Sequence, residues 1–589
     1  MKKRLRLAGK IAGSLLFAAS LALFAANANQ NQASAASKSS SDITKDLTPV
    51  PASYGYFVEH YQENQKSNNT PATNPAIAIF NNTFLQYWSP ANGGTKLNPS
   101  VLDQNIQKSI QITNARTQAE TVRAYLTDRR DLRYNVLSGL GPYEAAFIQN
   151  ANAQTDFSVY PANPLPGNSP YSSMKWADTN SNLGNLVSLV NLDESSSWSS
   201  TGTPKAYIQY VRPYRQSSQV TVIPALKNVM AAAPANDYDF PSGHTTAAFE
   251  TGLTLGYALP QRFQQLITRS SQVGYDRVLA GRHSALAVMG GRILGTAFTA
   301  GMLNDPANQS LIKQAYDQAQ SKYLYKSSIK SSSDDFSSYQ PNLKDYEYRL
   351  TYGFQPIGDT TKPMVVPKGA EVLLKTRQPY LSDQLRREVL YTTGLPSGYP
   401  MLDDTEGWGR LDLFKAANGF GSFLAPVKVT MNASKGGFNA FDNWRNNISG
   451  TGSLTKAGSG ELELSGANTY SGGTSVDGGS ILAVNNDSLG KGTVKLAGGK
   501  LAAKTGNLVV KGNYSQSKKS SLSVAANDKV TFDKKANLGG TLNVKAPKSG
   551  KKFVVLKFAS SKGKFNHVKI SGAKGWHISY SKHALTLVK

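Results

Sequence analysis

Two different periodicities run through this chain. Up to about residue 425 apolar residues recur at helical spacing, whereas residues 450–482 alternate apolar and polar residues in short stretches divided by Gly and Asn. The second pattern is that of strands with one buried face. A helical stripe and a strict alternation bury different faces, and 589 residues exceed what one core usually holds. The chain is therefore predicted to be multidomain: an all-α helical bundle over residues 49–425, then a domain of short β-strands over residues 426–589. Alternating segments continue at 492–497, 508–512, 522–532, 542–544, 553–556, 568–570 and 578–588.

In the first part helices are predicted over 75–88, 98–115 and 117–127, the last opened by a capping box of Thr117 and Glu120. Residues 135–142 and 152–176, rich in Gly, Pro, Asn and Ser, read as loops. Helices are expected again at 205–212, from Thr245 onward, at 261–280 and at 283–303, with an exposed excursion over 323–346. Amphipathic runs follow at 369–374, 382–390 and 411–417. The small residues Ala285, Ala287, Gly290, Gly291, Gly295 and Ala297 predict close helix packing.

The chemistry concentrates around Asp239-Phe-Pro-Ser-Gly-His-Thr-Thr246. A turn that breaks on Pro and Gly and enters a helix presents free N–H groups, a hydroxyl and an imidazole together, which suits an anion. Upstream, Lys205 and Arg212 stand seven residues apart, two helical turns, with Pro213 expected to stop that helix. Downstream, Arg277-Val-Leu-Ala-Gly-Arg-His283 adds two Arg and a second His. Fixed cations and fork-shaped donors fit a tetrahedral oxyanion, and two imidazoles can supply a nucleophile and a general acid. Neither a carboxylate cluster nor a Cys/His spacing points to a metal, so metal-free phosphoryl transfer with no cofactor is expected.

Lys-x6-Arg-Pro, then Pro-Ser-Gly-His, then Arg-x5-His resembles the three-part signature of the type 2 phosphatidic-acid-phosphatase superfamily, which includes bacterial secreted class A acid phosphatases, lipid phosphatases and vanadium haloperoxidases. The resemblance implies that His283 is the nucleophile forming a phosphohistidine and that His244 protonates the leaving group. It implies that Lys205, Arg212, Ser242, the Gly243 N–H and Arg277 hold the phosphoryl oxygens. Two positions depart from it. Asp276 stands where the family usually has Ser, and Ala287 stands where the family has the Asp that orients the nucleophilic His. The second departure predicts either a slowed enzyme or another carboxylate recruited to the imidazole, with Asp237, Asp239 and Asp276 the nearby candidates. Residues 395–414 resemble a closing region of secreted members, and residues 450–482 resemble the autotransporter-associated β-strand repeat, which implies that the alternating segments of residues 426–589 stack as rungs of a β-solenoid resembling a parallel β-helix. The expected function is hydrolysis of small phosphomonoesters. The alternatives are a vanadate-dependent haloperoxidase and a catalytically decayed polyanion-binding surface protein.

Met1-Lys-Lys-Arg-Leu-Arg followed by an apolar stretch over 11–26 and small-residue sites near 28 and 35 reads as a signal peptide spanning residues 1–36, with a flexible segment over 37–48. No other run reads as long and apolar enough to cross a bilayer, which predicts a secreted, extracellular or cell-wall-associated protein without a transmembrane anchor. The chain has no Cys, which excludes disulfides and thiol chemistry. Of its net charge of +26, residues 426–589 carry +18, from 25 Lys and Arg against 7 Asp and Glu. From Lys504 onward there are 18 Lys and no Arg. Such a surface suits an anionic cell-wall polymer through salt-sensitive attraction, not specific nucleic-acid recognition, for which Arg and stacking aromatics are expected.

Overall fold

The computed structural model describes residues 40–172 and 174–589; the expected signal peptide, residues 1–36, lies outside them. The segment expected to be flexible instead contains a helix, Ser40–Asp46, followed by a buried Leu47 whose carbonyl accepts from Arg387. The chain forms two compact units. One comprises Thr48–Arg377 and Gly394–Phe414; the other holds the described residues through Leu47, Gln378–Thr393 and everything from Lys415. The units therefore do not part at residue 425 as expected. Within the second unit, Asn446 Nδ2 donates to the carbonyls of Lys415 and Gly419 at 2.9 and 2.8 Å. Trp444 is sealed against Phe420 and Phe423 and donates to the Tyr380 hydroxyl, so these residues close the start of the solenoid.

The first unit is helical, with α1 (Pro99–Ala115), α2 (Gln118–Arg129), α3 (Gly184–Ser195), α4 (Gly202–Ile208), α5 (Gly243–Ala258), α6 (Phe263–Leu279), α7 (Ala285–Asn304), α8 (Gln309–Ala319) and α9 (Tyr339–Thr351). The expected capping box forms: Glu120 N donates to Thr117 Oγ1 and Thr117 N to Glu120 Oε2. At the centre α5 packs on α6 and α7. Residues 245–258 of α5 and 285–303 of α7 are all buried, as expected of helices covered on every side. Contrary to the sequence expectation, α7 is long and apolar enough to cross a membrane, and here it is the core helix of its unit. The expected close packing is present. A Cβ at Gly291 would lie 2.6 Å from the Ser242 carbonyl, and one at Gly295 2.5 Å from that of Thr246. These glycines let α7 press against the first turn of α5.

Three expectations change. Residues 75–88 form only a turn of helix, Pro75–Ala78, and a 3-10 turn, Phe84–Gln86, because Asn81, Asn82 and Thr83 interrupt the apolar run. Helix α4 ends at Gln209, which takes a left-handed conformation (φ 56°) and closes onto the Lys205 carbonyl. Pro213 opens a short helix rather than stopping one. Residues 323–346 are not an exposed excursion: Leu324, Phe336 and Tyr346 are buried and α9 begins within them.

The second unit is a parallel β-solenoid of about six turns. One sheet stacks Phe441–Trp444, Glu461–Leu464, Ser480–Ala483, Lys500–Ala503, Ser521–Val524, Thr541–Lys545 and His567–Ser571 in unbroken parallel register. Its inward column runs Leu462, Ile481, Leu501, Leu522, Leu542, all fully buried. On the other sheet Leu454, Thr474 and Val494 align at intervals of 20 residues. Residues 578–588 are not further rungs. Ala584–Val588 and His577–Tyr580 pair antiparallel and end the sheet on a short edge strand of four residues, one way of blunting an edge. Residues 529–589 carry 14 Lys and one acid, Asp533; Lys557, Lys562, Lys564 and Lys569 are among the exposed ones.

Asp193 and Glu250 are among the acids buried inside the helical unit. Asp193 of α3 accepts from Thr254 and Thr299, both at 2.7 Å, and its Oδ1 has no partner. Burial pushes its carboxyl up to about 7, the threonines pulling the other way. Burial, then Asp193, raises Glu250 of α5 well above the usual range. A carboxyl whose folded-state value is raised binds its proton more tightly when folded. Its stabilisation is present below the unfolded value and is lost as pH rises toward the folded one. Thermal unfolding followed at about pH 5 and about pH 8 is expected to show the midpoint falling by several degrees, Asp193 alone contributing on the order of 2 to 3 kcal/mol over that interval. Glu250→Gln is expected to flatten the dependence, and a midpoint that rises with pH would contradict this reading.

Candidate active site

Three segments converge on the start of α5. Ser242 caps that helix, its Oγ accepting from Thr245 N and from Thr245 Oγ1 at 2.9 Å. Its N–H donates to the Ala287 carbonyl at 2.9 Å, which ties the turn to α7. Phe240 anchors the other side, stacked on Phe84 with ring centres 3.8 Å apart. Gly243 is the first residue of α5, and a Cβ there would meet Thr201 Oγ1 at 2.9 Å. His283 lies just before the α7 cap, Ser284, so both histidines sit at the entrances of packed core helices.

The predicted residues meet, though not all as predicted. Lys205 and Arg212 do not project from one helical face. The left-handed turn at Gln209 redirects the chain after α4, and Arg212 comes in from the following loop. Lys205 Nζ donates to the carbonyls of Tyr238 and Asp239 at 3.1 and 3.3 Å. Arg212, almost fully buried, pairs with Asp237 at 2.5 Å, donates to the Arg282 carbonyl at 2.9 Å and stands 2.7 Å from His283 Nε2. His244 is half-buried, its Nε2 3.4 Å from the Asp128 carbonyl and its ring 6.1 Å from that of Tyr171.

Of the three candidate carboxylates, one reaches the imidazole. Asp239 Oδ1 lies 2.9 Å from His283 Nδ1. Asp237 is occupied by Arg212. Asp276 is turned toward Arg123, Thr127 and Arg269, where it joins α6 to α2.

Three functional-site residues were not singled out from the sequence. Asp128, at the end of α2, pairs with Arg277 at 2.5 Å and with Arg282 at 3.5 Å. Arg282 Nη2 also donates to the Tyr171 hydroxyl at 3.0 Å. Tyr171, nearly half exposed, lies on the loop held by Arg129, whose guanidinium covers its ring at 4.6 Å and bonds the Ser169 carbonyl. Arg282 was inside the third motif and visible as a charge; Asp128 and Tyr171 lie in no motif.

The field is strongly positive. Burial first, then Arg212, Lys205 and Arg277, hold His283 well below its ordinary value. His244 is likewise lowered by burial and Arg277, against the pull of Asp128. Burial works to raise Asp128, but Arg277 and Arg282 outweigh it and hold its carboxyl far below the usual range. Arg277 Nε is buried without a hydrogen-bond acceptor, and Arg282 Nε and Nη1 have only long ion-pair contacts, to Asp128 at 3.5 Å and to Asp237 at 3.9 Å. Buried donors left without a close acceptor are costly, and here they gather beside two imidazoles. The arrangement can receive an anion with several acceptor oxygens and leave the His283 ring free to react at Nε2.

Residues 189–310 match the PAP2 superfamily, and residues 454–484 match the Passenger-associated-transport-repeat. All seven predicted site residues fall within the first match. Over 134 residues the chain is 29% identical to a non-specific acid phosphatase of Salmonella typhi, covering 23% of this chain and 52% of the relative. It is 37% identical over 136 residues to the Neisserial autotransporter lipoprotein NalP of Neisseria meningitidis serogroup B, covering 22% and 12%. It is 29% identical over 170 residues to an extracellular serine protease of Serratia marcescens, covering 24% and 16%. The matches thus span between 12% and 52% of these relatives' own lengths.

Proposed function

We propose that this chain, which carries a PAP2 superfamily domain, is an acid phosphatase that hydrolyses small phosphomonoesters through a phosphohistidine at His283. The observation that carries the reading is the state of the His283 ring. Nδ1 meets a carboxyl oxygen at 2.9 Å, while Nε2 lies near Arg212 among guanidinium groups with donors that lack close acceptors. The acid phosphatase relatives support the same class. Relatives named as autotransporter and extracellular protease support a secreted or surface location.

Arg212 Nη1 lies 2.7 Å from Nε2 and 3.2 Å from Nδ1, alongside the ring. A phosphoryl dianion offers acceptor oxygens to Arg212, Arg277 and Arg282. Nε2 then forms the P–N bond as the P–O bond to the leaving group breaks, and His244 gives its proton to the departing oxygen. In the second step His244 takes a proton from water as the water oxygen attacks phosphorus. The P–N bond breaks, His283 is restored and phosphate leaves. The guanidinium groups stabilise charge on the phosphoryl oxygens in both steps. The dianion also raises His244, so substrate binding is expected to take up a proton, which favours mildly acidic conditions.

Hydrolysis of p-nitrophenyl phosphate by the full chain between about pH 5 and about pH 8 tests the reading. Turnover is expected to be highest on the acid side, with inorganic phosphate and orthovanadate inhibiting competitively. Absence of turnover throughout would overturn it, and vanadate-dependent bromide oxidation in its place would identify a haloperoxidase.

A further inference from the structure

We infer that Asp239 is the positioning carboxylate of this site, doing from the loop before α5 what the residue at position 287, on α7, does not do here. The inference rests on the phosphatase reading for its kinetic consequence, but its geometry stands independently.

Asp239 is completely buried, and its side chain meets two donors of Ser284 and one ring nitrogen of His283. Oδ1 is 2.9 Å from His283 Nδ1 and accepts from Ser284 N at 3.2 Å. Oδ2 accepts from Ser284 Oγ at 2.6 Å. A backbone N–H can only donate, and Ser284 Oγ has a carboxylate oxygen at short range. The remaining contact therefore places the imidazole proton on Nδ1 and the lone pair on Nε2. That is the tautomer a nucleophilic Nε2 requires. The backbone of Asp239 is fixed as well: its N–H donates to the Tyr210 carbonyl at 2.7 Å, and its own carbonyl accepts from Lys205 Nζ. One residue thus links Lys205, the Pro-Ser-Gly-His turn and His283. When the phosphoryl group bonds to Nε2 the ring becomes cationic, and the adjacent carboxylate stabilises it, as an orienting acid does in other His-dependent sites. Ala287 has no group for this task, and its carbonyl is engaged by Ser242 N.

Asparagine is the informative replacement, because its amide supplies one acceptor and one donor group where only donors converge. Asp239→Asn is expected to lower kcat on p-nitrophenyl phosphate by about 10² to 10⁴-fold. KM and the inhibition constant for phosphate should change less than about threefold, since the guanidinium cradle is untouched. Ala287→Asp placed on Asp239→Asn is expected to recover at least about tenfold of the lost kcat, because it returns a carboxylate one helical turn from the imidazole. A structural role alone would lower kcat and the unfolding midpoint together and give no rescue. The tautomer is read directly by ¹⁵N NMR of His-labelled full-length protein, without any turnover. The parent is expected to show a protonated Nδ1 on His283 and the Asp239→Asn protein a shift toward protonated Nε2. A parent with its proton on Nε2, or an Asp239→Asn protein that keeps its kcat within threefold, overturns the inference. An inactive parent with the proton on Nδ1 would sink the phosphatase reading and leave the positioning role standing.

Discussion

His283→Ala is expected to reduce hydrolysis of p-nitrophenyl phosphate by at least about 10⁴-fold while the helical unit stays folded. The size follows from the chemistry. On the proposed mechanism, removing the ring removes the atom that bonds to phosphorus, and what remains is the binding and charge stabilisation assigned to Arg212, Arg277 and Arg282. Those groups keep their positions, because Arg212 is also held by Asp237 and by the Arg282 carbonyl. Arg277 and Arg282 are likewise held by Asp128. Phosphate is therefore expected to bind the variant with an affinity close to the parent's. Circular dichroism and an unfolding midpoint near the parent's would show that the loss is chemical. A variant that keeps a tenth of the parent's activity would mean that another group attacks, or that water attacks directly.

His244→Ala is expected to have an effect that depends on the leaving group. For an alkyl phosphate such as β-glycerophosphate the departing oxygen is strongly basic and needs a proton in the transition state, so a loss of about 10² to 10⁴-fold is expected. For 2,4-dinitrophenyl phosphate the leaving anion is stable, and the loss should be about tenfold or less. The contrast arises because His244, half-buried near Tyr171 at the start of α5, is assigned only to proton transfer. Equal losses on both substrates would assign it instead to phosphoryl binding, as expected of a residue that contributes charge and not a proton.

The turn at Pro241-Ser-Gly-His244 and its entry into a core helix were legible because local residue types dictate them: Pro and Gly break the chain, Ser caps, and the apolar run propagates. The glycines of α7 were legible for a similar reason, since closeness needs small residues. The alternation after residue 450 forecast strands and rungs, but alternation is the same in parallel and antiparallel pairs, so the antiparallel cap at 577–588 left no separate signal. The route of Arg212 was hidden by one residue, Gln209, whose left-handed turn ends α4 early. Asp239 was one of three equivalent carboxylates in sequence and is singled out only by its 2.9 Å approach to His283. Asp128 is 149 residues from Arg277, a pairing that no motif spacing encodes. The boundary of the solenoid unit was misplaced because the helix at Asp383–Thr393 looks like any other amphipathic helix, whichever unit it joins.

Rapid mixing of the full chain with 2,4-dinitrophenyl phosphate, followed by alkaline quench and peptide mass analysis, tests the role of His283 most directly. One phosphoryl group on the peptide containing His283 is expected within the first turnover, absent from His283→Ala and accompanied by a burst of the phenolate. Steady turnover with no burst and no phosphorylated His283 would contradict covalent catalysis at this residue.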